Sequence, residues 1–199
     1  KTLVGEGGFR DEVAARPLET VQLRGANSSD PDGDVARYQW TMLEKPGGST
    51  ARFVPSNTAE DPQMFLDLAG EYLVGLRVYD ETGTASCGEA ATVKLRAVPR
   101  EAIHVQLVWR TPADPDPRDR RGSDLDLHMV NPDPPGGDEP WSWNEAPYDV
   151  FYENAQADWG AVDDPSDDPS LDIDDTNGAG PENINLDKPP ATEGDPYKI

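Results

Sequence analysis

The residues with the clearest chemical potential are aspartates, and one pair lies in the segment GSDLDLHM at positions 122–129. In a β-strand, residues two apart point to the same face. Asp124, Asp126 and His128 would therefore share one face, while the apolar residues between them point into a core. The two carboxylates would stand roughly 7 Å apart and repel each other. A single aspartate on a strand face is readily explained by contact with solvent. Two aspartates that repel each other on the same face are less readily explained in this way, so the pattern favours a bound cation.

A second acidic segment reads DDPSLDIDDTNG at 167–178 and continues into PENINLD at 181–187. Apolar residues alternate with acidic and amide residues along both runs, which argues against simple disorder. The polar positions of this alternation are Asp172, Asp174, Asn183 and Asn185. Ca²⁺ takes about six to eight oxygen ligands from carboxylates, amides and main-chain carbonyls, and these residue types supply such oxygens.

The turn NSSDPDGD at 27–34 is the third acidic segment. Its glycine permits tight curvature, so that its three carboxylates can converge on a cation. The alternative is that its Asp and Asn side chains make Asx-turns with their own backbone, and the residues alone leave both interpretations open. Counting from Asp30, the sixth position is Val35 and the twelfth is Thr41, where an EF-hand loop has Gly and Glu. Any ions would therefore occupy irregular loop sites.

Other site chemistries fit the sequence less well. His104 and His128 are the only histidines and no Cys/His cluster is present, which argues against zinc. A glycosidase needs one carboxyl group with a raised pKa in an otherwise apolar cleft, whereas the carboxylates here are crowded and loop-borne. No nucleophile motif, phosphate loop or zinc signature is present. The sequence therefore predicts a protein that is not an enzyme.

Aromatic residues crowd one short region between positions 141 and 159. This arrangement suits a sugar-stacking platform, but such clusters more often form a core or pack between domains, and core packing is the favoured interpretation. The rings are those of Trp141, Trp143, Tyr148, Phe151, Tyr152 and Trp159.

The net charge of −22 is unevenly distributed. Residues 1–111 carry 16 acidic and 12 basic side chains, whereas residues 112–199 carry 23 acidic and 5 basic ones. Such a field repels nucleic acid and anionic lipid, and no apolar run is long enough for a membrane-spanning helix. Cys87 is the only cysteine, so it is either buried and inert or, in an exported protein, paired with a cysteine outside this segment.

Strands must position these residues. Alternation with period two dominates the first half, with runs centred on Leu23, Trp40, Val74 and Leu95. Clusters of Asn, Asp, Gly and Pro separate the runs, and no convincing amphipathic helix is present. This pattern predicts an all-β protein of two tandem β-sandwich domains.

A shift in composition near position 98 indicates the boundary between the domains. We expect a sandwich over residues 1–98, a linker at 99–101, and an acidic, loop-rich sandwich over 102–199 that lacks its closing strands. Within the second domain, Leu125–Met129 and Tyr148–Tyr152 are the predicted internal strands.

Two motifs in the first half, SDPDGDVARYQW at 29–40 and AGEYLVGLRVYDETG at 69–83, occur in order and at the expected separation. Over about residues 12–98 the chain resembles the PKD (polycystic kidney disease) domain family, an immunoglobulin-like sandwich. Some members bind Ca²⁺ at this turn together with an aspartate at the end of the later strand. The resemblance implies that the ligands here would be Asn27, Ser28, Asp30 and Asp80.

From about residue 101 to 199 the chain resembles a β-sandwich module of uncharacterised bacterial surface proteins, which carries an SDLDLH strand and a DPSLDIDDT segment. The implied Ca²⁺ ligands are Asp124, Asp126, Asp172, Asp174, Asp175 and Asn183. We therefore expect an extracellular or cell-surface, calcium-binding structural and adhesive module pair within a longer chain, with a protein or glycan surface as partner. The alternative is a carbohydrate-binding module attached to a secreted enzyme.

Overall fold

Every regular element of the described chain is a β-strand, as the sequence predicts. The chain folds into two compact units, Lys1–Pro99 and Arg100–Ile199. No helix with the length and apolar character of a membrane span is found in the described ranges. The structure, a computed structural model, describes residues 3–4, 11–30, 33–116, 119–134, 142–191 and 196–199.

The first unit contains eight strands, numbered in chain order: β1 (Leu3–Val4), β2 (Glu12–Ala15), β3 (Thr20–Arg24), β4 (Arg37–Glu44), β5 (Phe53–Val54), β6 (Gln63–Phe65), β7 (Gly70–Tyr79) and β8 (Ala91–Ala97). They form two four-stranded sheets with the orders β2-β8-β7-β4 and β1-β3-β6-β5. All neighbours are antiparallel except β2 and β8, which are parallel. Buried side chains of both sheets share one core, so the first unit is a β-sandwich.

The centre of this core contains the residues that the alternation places there. Trp40 and Val74 are both fully buried, and the indole N–H of Trp40 donates to the carbonyl of Ala59 at 2.8 Å. The hydroxyl of the buried Tyr72 donates to the carbonyl of Leu68 at 2.9 Å. A tyrosine hydroxyl that bonds to the backbone a few residues upstream is the tyrosine corner of immunoglobulin-like sandwiches.

The second unit contains five strands: β9 (Ile103–Leu107), β10 (Met129–Val130), β11 (Asp149–Val150), β12 (Ser170–Ile173) and β13 (Glu182–Leu186). An antiparallel sheet has the order β12-β13-β9, and β10 pairs with β11. The core of this unit includes Leu127, Met129, Trp159, Ile184 and Leu186. Most of the remaining described backbone is in turns and loops.

The predicted strand Leu125–Met129 is wrong in extent. Only Met129 and Val130 are in a strand, and the backbone from 123 to 128 is irregular. Leu127 and Met129 are buried as expected, but Leu125 is 44% exposed and does not point into the core. The physical reason is that the Leu127 amide bonds to the side chain of Glu182 rather than to a neighbouring strand.

Candidate calcium site in the second unit

Three carboxylates of the second unit converge. Asp124, Asp126 and Glu182 each offer an oxygen atom, and the three oxygens lie within 4.8 Å of one another. The two aspartates are exposed, whereas Glu182 is buried. Among the described residues, this is the group of acidic, histidine and cysteine side chains whose spacing suits a metal ion.

Glu182 is the buried member, with 1% of its surface exposed. Its Oε2 accepts a 2.6 Å hydrogen bond from the Leu127 amide. Its Oε1 is buried, and no hydrogen-bond partner for it occurs in the part of the chain that the structure describes. A buried carboxylate oxygen without a partner is costly unless the group is protonated or binds a cation.

The strand β13 positions Glu182. Leu107 of β9 is its cross-strand partner, and by alternation Glu182 shares the core face with Ile184 and Leu186. The chain enters β13 through Gly180, whose φ of +66° lies in the left-handed region. A Cβ at that position would lie 2.6 Å from the Trp109 ring, so only glycine lets the chain pass this close.

The electrostatics show mutual repulsion within the acidic group. Burial raises the pKa of Glu182 to about 7 against the lowering effect of the Leu127 hydrogen bond, and the charges of Asp174, Asp126 and Asp124 raise it further. Burial, followed by the charges of Asp126, Asp174 and Asp175, also raises the pKa of Asp124. Asp174 and Asp175 therefore lie close enough to act on the converging carboxylates.

The structure places Asp172 elsewhere. It lies at a bulge in the pairing of β12 with β13, opposite no single residue. Its carboxylate accepts hydrogen bonds from the Ser170 hydroxyl at 2.6 Å and from the Asn185 amide. These bonds account for both of its oxygens without an ion.

Asn183 is fully buried, and neither polar atom of its amide has a hydrogen-bond partner among the described residues. It follows Glu182 directly in β13, so the alternation turns it to the opposite face of the sheet. The strand geometry therefore separates Asn183 from the three converging carboxylates.

Glu182 is the site residue that the sequence reasoning missed. The sequence does indicate it, because Glu182 lies two residues before Ile184 and four before Leu186 and so shares their face of a strand. A carboxylate on an otherwise apolar strand face must find a partner when it is buried. The amide residues of the same run, Asn183 and Asn185, occupy the alternate positions.

In the first unit, the expected ligand Asp80 follows β7 directly and has local hydrogen-bond partners. The Oδ1 of Asp80 accepts hydrogen bonds of 2.8 Å from the Thr82 hydroxyl and the Thr84 amide, and these bonds lower its pKa. These local hydrogen bonds account for Oδ1 of Asp80 without an ion. Asp30 and Asp80 line one cavity of about 430 Å³, and Asn27 and Ser28 line another.

Asp32, in the middle of the acidic turn at 27–34, lies outside the described residues. Cys87 lines both cavities and is exposed, so the interpretation of a buried, inert thiol is wrong.

The aromatic region divides into two classes. Tyr148, Phe151 and Trp159 are at most 4% exposed, which confirms core packing for these rings. Trp143 and Tyr152 are 43% and 50% exposed. Trp141 lies outside the described residues.

The family model of the K319L-like PKD domain matches residues 10–93. A search of the curated proteins found no match. Similar solved structures include the PKD domain from the KIAA 1837 protein, with 22% identity, a TM-score of 0.35, and coverage of 47% of this chain and 91% of that one. The fibronectin(III)-like modules of Clostridium thermocellum CbhA have 16% identity, a TM-score of 0.29, and coverage of 48% and 96%.

A third similar structure is a nucleoside hydrolase-related protein from Saccharophagus degradans that is associated with carbohydrate metabolism. It has 20% identity and a TM-score of 0.37 over 49% of this chain, which spans only 25% of that protein. The resemblance of residues 101–199 to an SDLDLH module stays a prediction. The family match supports a PKD domain in the first unit, at residues 10–93.

Proposed function

We propose that this chain is an extracellular, calcium-binding structural and adhesive module pair that mediates protein or surface interactions within a longer protein. The PKD domain of the first unit supports the structural part of the proposal. The observation that carries the calcium part is the convergence of Asp124 and Asp126 on Glu182, whose Oε1 is buried without a partner.

A cation gives the simplest physical account of this group. Three carboxylates within 4.8 Å of one another repel strongly where one of them is shielded from water. Without an ion, the site relieves this repulsion by holding a proton, and the raised pKa of Glu182 expresses that tendency. With an ion, each carboxylate is attracted to the cation, and the unpartnered oxygen can serve as one of its ligands.

The donor set favours calcium over other ions. All three side chains offer oxygen and none offers sulfur or nitrogen, which argues against zinc. The aspartates lie on an irregular segment, and Ca²⁺ tolerates variable geometry with about six to eight oxygens, whereas Mg²⁺ demands near-octahedral coordination. Asp174 and Asp175 are the further carboxylates whose charges act on this group.

An ion here would stabilise the second unit. It would join the irregular segment that contains Asp124 and Asp126 to the first residue of β13, two parts of the chain that the hydrogen bond from Leu127 to Glu182 also connects. A ligand that binds only the folded state adds about 2.7 kcal/mol when its free concentration is about 100 times Kd. The proposal includes no catalytic step, because the crowded carboxylates suit ion ligation better than proton transfer.

The experiment is thermal unfolding of the full chain in EDTA and at increasing CaCl₂. We expect Tm to rise with free Ca²⁺, with MgCl₂ at equal concentration giving a smaller shift. Asp126→Asn should abolish most of the shift, whereas Asp187→Asn, which changes an exposed aspartate of the same unit, should leave it unchanged. Equal Tm values in EDTA and in Ca²⁺ would rule out the calcium part of the proposal.

A further inference from the structure

A cavity of about 620 Å³ opens beside the three carboxylates, and its lining is mainly apolar. Asp126 belongs both to this lining and to the acidic group. Leu107 and Leu127 contribute apolar surface, and Trp143, Asn144 and His128 bring the remaining polar and aromatic groups. The volume lies within the range of about 300–1,000 Å³ that is usual for small-molecule sites.

The ring of His128 is held in place on two sides. Its Nδ1 lies 2.6 Å from Oδ2 of Asp149, a carboxylate that is fully buried. The Phe151 ring stacks on it with a centroid distance of 5.1 Å and an interplanar angle of 14°. When Nδ1 donates to the carboxylate, Nε2 of a neutral imidazole becomes a hydrogen-bond acceptor. The fold therefore presents a fixed polar group at the cavity.

The same buried carboxylate fixes the opposite part of the lining. Asp149 Oδ2 also accepts a 2.8 Å hydrogen bond from the backbone N–H of Asn144. Asn144 itself has a φ of +62°. Its neighbour Trp143 is 43% exposed and meets the His128 ring edge to face, with centroids 5.9 Å apart. Because the backbone next to Trp143 is fixed by this hydrogen bond, the exposed part of its ring has a defined position in which it can contact a ligand.

We infer that this cavity is a carbohydrate-binding site for a neutral oligosaccharide, with one pyranose ring against Trp143 and its hydroxyl groups toward His128, Asn144 and Asp126. The inference rests on the proposed function, since it assigns the charge of Asp126 to a bound cation. A sugar combines an apolar face with several hydroxyl groups, which complements a lining of aromatic and aliphatic surface with few polar groups.

Charge separates this ligand class from others. Among the described residues of the lining, Asp126 is the one acidic side chain, and His128 pairs with the buried carboxylate of Asp149. Anionic ligands are repelled by the acidic side chains that surround the site, whose unit has 23 acidic and 5 basic residues beyond position 111. A lysine or arginine side chain would compete with the cation for Asp126, whereas a neutral sugar leaves the ion in place.

This site differs from the platform that the sequence suggested. The whole aromatic region from 141 to 159 cannot stack on a sugar, because three of its rings are buried. Among the described rings of that region, Trp143 both lines the cavity and is exposed. The polar partners come from other parts of the chain, and only the fold brings them to Trp143.

The test is binding of the full chain to a panel of neutral oligosaccharides, including cello-, xylo-, manno- and chito-oligosaccharides, by calorimetry in CaCl₂ and in EDTA. We expect at least one of them to bind in Ca²⁺ and to bind at least about tenfold more weakly to Trp143→Ala. Phe65→Ala is the matched control, because Phe65 of the first unit is also 43% exposed. It should bind as the unchanged protein does.

The outcomes distinguish this inference from the proposed function. Trp143→Ala should keep the full calcium-dependent rise in Tm, and Asp126→Asn should lose that rise together with oligosaccharide affinity. No binding to any member of the panel, or equal binding by Trp143→Ala, would overturn the carbohydrate site while a calcium-dependent Tm still supported the proposed function. Binding of a lysine-rich peptide that displaces Ca²⁺ would overturn it in favour of a basic partner. Oligosaccharide binding with no effect of Ca²⁺ on Tm would instead count against the proposed function.

Discussion

The backbone amide of Leu127 donates a 2.6 Å hydrogen bond to Oε2 of Glu182, and this bond joins the irregular segment 123–128 to the first residue of β13. It leaves the second oxygen of Glu182 buried without a partner in the described part of the chain. The same bond takes the place of a strand hydrogen bond in the segment where the sequence predicts a strand, and the Glu182 carboxylate that accepts it also lies close to Asp124 and Asp126.

Glu182→Gln tests this relationship, because its effect should change sign with calcium. In EDTA, the neutral amide removes the repulsion with the two aspartates and keeps an oxygen for the Leu127 amide. We expect unchanged or higher stability there. In saturating Ca²⁺, the variant loses a charged ligand and should be less stable than the unchanged protein by about 1–3 kcal/mol.

Urea unfolding in the two buffers measures both effects. Glu145→Gln, an exposed glutamate of the same unit, is the control and should change neither value. A loss of stability for Glu182→Gln that is equal in EDTA and in Ca²⁺ would contradict the assignment of Glu182 as a ligand.

The pKa of Glu182 gives a pH dependence with a defined sign. Its folded-state pKa is about 7, above the ordinary value of 4.5, so the folded state holds this proton more tightly than the unfolded state does. In EDTA, the resulting stability is fully present below about pH 4.5 and is lost as the pH rises through 7. The free energy of unfolding of the protein should therefore fall between pH 5 and pH 8 relative to that of Glu182→Gln.

Calcium should remove or reverse this dependence, because the ion needs the ionised carboxylate. The lowered pKa values of Asp80 and Asp164 act in a more acidic range and cancel in the comparison with Glu182→Gln. Parallel pH profiles of the two proteins in EDTA would show that Glu182 does not titrate in this way.

In the first unit, the sequence alone predicts which strand residues are buried in the core. Trp40, Val74 and Tyr72 lie on strands of seven residues or more, with one face toward the core, and period-two alternation places such residues well. The family resemblance rests on the same alternation and on local turns. In the second unit, β10 and β11 have two residues each, which is too short for a reliable periodic signal.

The members of the acidic group were predicted only in part, because the sequence shows neighbours along the chain more clearly than distant contacts. Asp124 and Asp126 are neighbours in sequence, so their spacing alone suggested a cation. Glu182 is 56 residues from Asp126 in the sequence, and only the fold brings their carboxylates together. Asp172 was expected at the site, but a bulge directs it to Asn185, and bulges leave little trace in an alternating sequence.

Tyr72→Phe should destabilise the first unit without affecting the calcium response. The change removes the hydroxyl that bonds to the Leu68 carbonyl at 2.9 Å and to Asp67 at 3.1 Å, and leaves the buried Asp67 with one partner fewer. We expect a loss of about 1–2 kcal/mol, equal in EDTA and in Ca²⁺, in urea unfolding followed by tryptophan fluorescence.

Tyr38→Phe is the matched control, since the Tyr38 hydroxyl donates to Glu60 at 2.9 Å in an exposed setting. Tyr38→Phe should lower the free energy of unfolding by much less than Tyr72→Phe does, because water can take the place of the hydroxyl beside the exposed Glu60. Equal losses in the two variants would mean that the corner contributes no more than a surface contact.

Gly180→Ala should damage the calcium site from a distance. Gly180 has a positive φ, and an added Cβ would meet the Trp109 ring at 2.6 Å and 2.8 Å and the Leu107 carbonyl at 3.2 Å. The chain must then shift at the entry to β13, which moves Glu182 relative to the aspartates. Gly83→Ala separates backbone strain from this contact, because Gly83 has a φ of +84° and no atom near the added Cβ.

In both variants the free energy of unfolding should fall by about 1 kcal/mol or more, because alanine is strained in the left-handed region of φ. Urea unfolding in EDTA measures this loss. Only Gly180→Ala should also bind Ca²⁺ more weakly in calorimetry, by about tenfold if the shift weakens one ligand by about 1.4 kcal/mol. Unchanged calcium affinity in Gly180→Ala would mean that β13 can begin elsewhere without moving Glu182. The close passage of Gly180 beside Trp109 would then serve only the packing of the second unit.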